Sequence, residues 1–155
     1  MEDRRIFPAL RHRGFAQSAG SSRTTRLATV TEEGIERLVH CFYVKVRGDA
    51  ELAPLFELAI AADAWEPHMA RMRDFWSSLM LTTGRYKGNP LATHLEVQGI
   101  RPEMFETWLR LFRETAAEVF EDDIAASFTA KAGRIAQSFQ IGLFYRPELD
   151  VPAKV

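Results

Sequence analysis

Residues Thr31–Val46 read TEEGIERLVHCFYVKV. Within them Ile35, Leu38, Val39, Phe42 and Val46 recur at i, i+3, i+4, i+7 and i+11, which draws one apolar stripe along an α-helix. Thr31 stands where an N-cap belongs, and Glu32 and Glu33 put negative charge at the positive end of the helix dipole. Gly48-Asp49 breaks the run.

The same period continues downstream. A short segment, Leu52–Ile60, is followed by a helix whose first turn accepts Pro67, since its missing N–H has no intrahelical partner there. In that helix His68, Met72, Phe75, Trp76 and Leu79 share a face. A loop at Thr82–Asn89 holds Gly84 and Gly88; Asn89-Pro90 then supplies a cap and first position for a short helix carrying Leu91, His94 and Leu95, with Gly99 as its expected stop. Pro102 opens a longer helix with Phe105, Trp108, Leu109, Phe112, Ala116 and Val119 in register. A last one, from about Asp123 to Tyr145, turns Phe128, Ala132, Ile135, Phe139 and Leu143 inward. No segment alternates with period two, so the expected fold class is all-α.

Upstream of Thr31 the chain changes character. Residues 1–30 hold six arginines (Arg4, Arg5, Arg11, Arg13, Arg23 and Arg26) against Glu2 and Asp3, with a Ser-Gly cluster at residues 18–22 and no sustained apolar period. They read as a flexible or loosely docked extension, with a composition that also resembles a transit peptide. Residues 31–147 then form the domain and 148–155 a C-terminal tail. The net charge of −1 over 155 residues therefore averages a basic start against an acidic remainder. That balance argues against general nucleic-acid or anionic-membrane binding. The longest apolar run is Leu58–Ala62, far short of the ~20 residues a membrane span needs, and a cytoplasmic location is expected. Cys41 has no partner in the chain, which excludes disulfide scaffolds and cysteine-based zinc sites; a buried, inert thiol is expected.

Four polar-tipped residues lie on or beside inward faces. His68 sits beneath Met72 and Trp76, and burying an imidazole unpaired costs on the order of 1–3 kcal/mol, so it faces either a hydrogen-bond partner or a ligand. His94 poses the same question on a helix of barely two turns. Helical zinc sites place histidines at i, i+4, a spacing these two do not have. Opposed histidines across an apolar slot suit a flat iron macrocycle, one imidazole binding iron and the other facing a bound gas. Tyr43 adjoins the first stripe and Trp108 lies within a later one; packing alone would place the indole in the core and the phenol at a half-exposed rim.

An ordered set of motifs runs from Glu32 to about Tyr145: Phe42-Tyr43-x-x-Val46-Arg47-x-Asp49, Leu52-x-Pro54-x-Phe56, Trp65-x-x-His68 with Phe75-Trp76, Tyr86-x-Gly88-x-Pro90-x-x-x-His94-Leu95, Phe105-x-x-Trp108-Leu109-x-Leu111-Phe112, and Ala136-x-Ser138-Phe139. In order and spacing this set resembles the group III truncated haemoglobins. The resemblance implies a two-over-two helical sandwich around haem b, protoporphyrin IX iron. It implies His94 as the proximal iron ligand, with Tyr43, His68 and Trp108 as the distal polar residues and His68 as a second candidate ligand. Met72 takes the apolar distal position, and Phe42, Phe75 and Trp76 match pocket and core aromatics. Arg71 and Tyr86 are candidates for the propionates, beside a solvated-face reading of Arg71.

The implied ligands are O2, NO and CO. Phenol and indole donors aimed at bound O2 contribute roughly 1.5–3 kcal/mol each, at ~1.4 kcal/mol per tenfold in release rate. Slow release disfavours bulk oxygen transport and favours NO dioxygenation, nitric oxide detoxification or scavenging, with a reductase to restore ferrous iron. A peroxidase-like reaction on peroxide or reactive nitrogen is the alternative, and Glu96 is poorly placed to assist His94 in it. A cofactor-free helical interaction module is the reading from another class. A monomer is expected.

Overall fold

The computed structural model describes residues 25–145, which form six α-helices and one 3-10 turn: α1 (Glu32–Gly48), α2 (Leu52–Ala59), the turn Ala62–Ala64, α3 (Trp65–Leu81), α4 (Pro90–Leu95), α5 (Pro102–Val119) and α6 (Asp122–Phe144). The all-α class follows from the sequence pattern. α1 begins as its cap predicts, with extended Thr31 accepting a 3.0 Å hydrogen bond from the Gly34 N–H through its hydroxyl. Asp49 ends α1 and starts α2, its carboxylate accepting from the N–H groups of Glu51 and Leu52, each at 2.9 Å.

α1 packs against α3 and crosses α5, which lies along α6, so the α1–α3 and α5–α6 pairs form two layers. The apolar stripes meet between them. Ile35, Leu38, Phe42 and Val46 of α1 are buried with Phe112 and Ala116 of α5 and Phe128 and Ala132 of α6. Trp76 stacks on Phe112 at 4.8 Å between centroids, and Phe120 on Phe128 at 4.7 Å. Each large ring contributes on the order of 2–3 kcal/mol by removal of its apolar surface from water. Among the described residues no helix is long and apolar enough to cross a membrane.

Three sequence expectations are corrected. Residues 25–30, assigned above to the extension, are docked: Leu27 forms an isolated parallel bridge with Phe120, its N–H donating to Val119 and its carbonyl accepting from Glu121, both at 2.9 Å. The Arg26 guanidinium donates to the Phe120 carbonyl at 2.8 Å and pairs with Asp122. Gly34 makes the docking possible, because a Cβ there would lie 2.9 Å from Leu27 and Phe120 atoms. One bridge has no period, so hydrophobic patterning missed it. The expectations for residues 1–24 and for the 148–155 tail fall outside the described residues. Second, α4 ends at Leu95, not at Gly99; Gly99 instead provides a left-handed turn at φ 90° before α5. Third, Cys41 is half-buried.

Candidate functional site

A cavity of about 640 Å³ opens between the layers. That lies within the ~300–1,000 Å³ typical of pockets for cofactor-sized ligands. Its wall draws on every element except the 3-10 turn: Phe42 and Tyr43 of α1, Phe56 of α2, His68, Arg71, Met72, Asp74, Phe75 and Trp76 of α3, Arg85–Asn89 of the following loop, Pro90, Thr93 and His94 of α4, Trp108 of α5, and Ile135 and Phe139 of α6. All ten residues singled out from the sequence (Phe42, Tyr43, His68, Arg71, Met72, Phe75, Trp76, Tyr86, His94 and Trp108) line it.

On the α1–α3 side the polar groups are desolvated. Tyr43 is buried rather than half-exposed, and burial raises its phenol pKa well above the usual value, so it stays protonated and able to donate. Tyr43 meets the His68 ring edge to face at 5.0 Å, and Phe42 meets Trp108 likewise at 5.5 Å. The His68 Nε2 is buried with no hydrogen-bond partner among the described residues. Burial, then the nearby Arg71 charge, then His94 lower the His68 pKa to about 4, so the ring is neutral at physiological pH. A buried imidazole nitrogen with no partner among the described residues, beside a large cavity, is available to bond to a group held there.

On the α4–α6 side, Asn89 caps α4 by accepting from the Ala92 N–H at 3.1 Å, and Pro90 takes the first helical position. The His94 Nδ1 then lies 2.6 Å from the Pro90 carbonyl oxygen. A carbonyl only accepts, so Nδ1 carries the hydrogen and Nε2 keeps its lone pair for a metal. The His94 ring packs on Phe139 with centroids 4.6 Å apart.

Residues 85–89 of the loop at 82–89 form part of the wall. The Tyr86 N–H donates to Ser78 at 2.9 Å, its ring meets Phe75 edge to face at 5.2 Å, and its hydroxyl lies so close over Gly88 that a Cβ there would be 2.3 Å from it. Behind the loop, buried Ser77 donates to the Glu32 carboxylate at 2.6 Å and contacts the Thr83 hydroxyl at 3.0 Å, while Arg85 pairs with Glu32 at 3.0 Å. Arg71 and Lys87 line the cavity with no ion-pair partner among the described residues.

Sequence reading missed Phe56, Ile135, Phe139 and the Pro90 carbonyl as parts of this site. Ile135 and Phe139 did stand out as an i, i+4 pair facing inward, but the pattern does not separate a residue facing protein from one facing a pocket.

No protein-family model matches the chain. It is 36% identical over 121 residues to the group 3 truncated haemoglobin of Campylobacter jejuni, a match covering 77% of this chain and 95% of that protein. Its fold superimposes on the crystal structure of a group III truncated haemoglobin from the same organism with a TM-score of 0.74 and 35% identity, over 77% of this chain and 96% of the other.

Proposed function

The chain belongs to the group III truncated haemoglobins, a family of haem-binding globins, and on that basis we propose that it holds haem b between His94 and His68 and binds O2, NO and CO for chemistry on the bound gas. The single observation that carries the reading is the pairing of an orphaned, neutral His68 Nε2 with a His94 whose Nδ1–H is taken by the Pro90 carbonyl, both on one cavity. Haem bound there supplies an iron with an open coordination position for a diatomic gas.

The residues of this chain then divide by chemistry. His94 Nε2 is the ligand, oriented by Pro90 and the Phe139 ring. Tyr43 and Trp108 offer the donors to the bound gas, and His68 either joins them or ligates the iron when no gas is present. Met72, Phe42 and Phe75 would exclude water, while Arg71, Lys87 and Tyr86, which also line the cavity, would meet the haem carboxylates. Non-covalent haem is favoured because covalent c-type attachment needs a Cys-x-x-Cys-His run, and the chain has one cysteine, on α1.

Slow gas release and NO dioxygenation to nitrate are favoured over transport, for two donors beside the gas each slow its escape. A peroxidase-like role is disfavoured by the Pro90 contact: a neutral carbonyl makes the ligand imidazole less electron-donating than a carboxylate would. Purified protein supplied with haem is expected to show a Soret band. Its oxy form, mixed with NO in a stopped-flow instrument, is expected to consume NO stoichiometrically with nitrate as product and a partner reductase resetting the iron. A folded protein with no Soret band would leave the cofactor-free interaction module; a haem protein that cleaves peroxide faster than it consumes NO would favour the peroxidase alternative.

A further inference from the structure

The His68 Nε2 has no hydrogen-bond partner among the described residues, so packing is left to set the orientation of its ring. Besides Tyr43, that packing involves Trp65, which does not line the cavity and is itself covered by Arg47. Trp65, the first residue of α3, is buried with its ring 5.8 Å from that of His68 at an interplanar angle of 86° and 6.0 Å from that of Tyr43 at 71°. With the 5.0 Å contact between Tyr43 and His68, the three rings form a closed triangle of edge-to-face contacts. The exposed Arg47 at the end of α1 places its guanidinium carbon 4.2 Å from the Trp65 ring centroid.

We propose that Arg47 and Trp65 are positioning residues: the guanidinium clamps the indole, and the indole holds the His68 imidazole facing the gas site. The proposal rests on the haem and gas reading of the cavity. The clamp matters because Trp65 opens its helix next to a 3-10 turn, where the backbone has few hydrogen bonds of its own to fix a side chain. A cation–π contact at an exposed site shifts a rotamer equilibrium roughly two- to fivefold, enough to change how His68 populates its orientation and too little to unfold the domain. Tyr43 keeps contacts with Phe42 and Phe56 that do not depend on Trp65, so loss of the clamp falls on His68 first.

The experiment is infrared spectroscopy of the CO complex of the haem-loaded protein, with CO association measured by flash photolysis. In Arg47→Ala a second C–O stretching band is expected, with a two- to fivefold change in association rate and a melting temperature close to the parent. Arg47→Lys, which keeps a cation over the ring, is expected to restore the single band, and Trp65→Leu to enlarge the second. In a His68→Leu background the Arg47→Ala change is expected to leave band and rate alone. Unchanged spectra and rates in both Arg47→Ala and Trp65→Leu overturn the proposal; if Trp65→Leu does not fold, an unaltered Arg47→Ala does so by itself. An Arg47→Ala effect that persists without His68 also overturns it. Failure to form any CO complex would sink the haem reading, and the clamp with it.

Discussion

The His94 Nδ1 and the Pro90 carbonyl oxygen stand 2.6 Å apart within a single six-residue helix. The contact fixes the tautomer of the imidazole and aims its free nitrogen with no help from a distant residue. A helix too short to be stable alone acquires its order from α6, against which it packs. Replacing His94 by Ala is expected to weaken haem affinity by at least tenfold while the circular dichroism of the helices survives. Added imidazole is expected to restore a nitrogen-ligated spectrum; an unaltered Soret band in the variant would refute the ligand assignment.

Tyr43→Phe removes one hydroxyl and leaves the edge contacts with Phe42, Phe56 and His68 in place. Loss of a donor to a charge-bearing gas is worth roughly 1.5–3 kcal/mol, so O2 dissociation is expected to accelerate at least tenfold. Stopped-flow displacement of O2 by CO measures it. An equal off-rate takes Tyr43 out of the donor set.

The depressed pKa of His68 has a consequence for the haem-free protein. Its folded value of about 4 lies below the ordinary 6.5, chiefly through burial, then Arg71, then His94. Between those limits the unfolded chain binds a proton that the folded chain refuses, so the contribution to stability is full above about pH 6.5 and is lost progressively towards pH 4. Denaturant melts across that window are expected to show a shallower acid limb in His68→Leu than in the parent. Identical limbs would mean that residue 68 is already solvated.

Gly34→Ala pits two effects against one another. Helix propensity favours Ala by about 1 kcal/mol, but the new Cβ would stand 2.9 Å from Leu27 and from the Phe120 ring. Overpacking of a core typically costs ~1–3 kcal/mol, so a net loss is expected, read as a lower urea midpoint with an unchanged slope. A higher midpoint would show that the Leu27 segment does not press on α1.

How much of this was legible follows from which forces leave a trace in the order of residues. The helices were, because burial of one face imposes a 3.6-residue period that Ile35 to Val46 and Phe105 to Val119 both display. Thr31, Asn89, Pro90 and Pro102 mark their starts by local hydrogen bonding and fixed backbone angles. Tyr43, His68, His94 and Trp108 were legible only as a group, since each alone fits a packed core. The Leu27–Phe120 bridge was not, because it joins residues 93 positions apart through one pair. Arg47 and Trp65 were visible only as letters in a motif: that a cation lies over a ring depends on how α1 and α3 come together, which no local pattern encodes.

Glu32 opens α1, yet its carboxylate reaches across to Ser77 and to Arg85 of the loop that lines the cavity. One half of that grip is an ion pair between partly exposed groups, the other a bond to a hydroxyl with no exposure at all. Salt weakens the first only in part, because its 3.0 Å separation is well inside the Debye length of about 8 Å at physiological strength, and it touches the second still less. Rising ionic strength is therefore expected to loosen the Arg85 half of this grip on the loop while the Ser77 half holds.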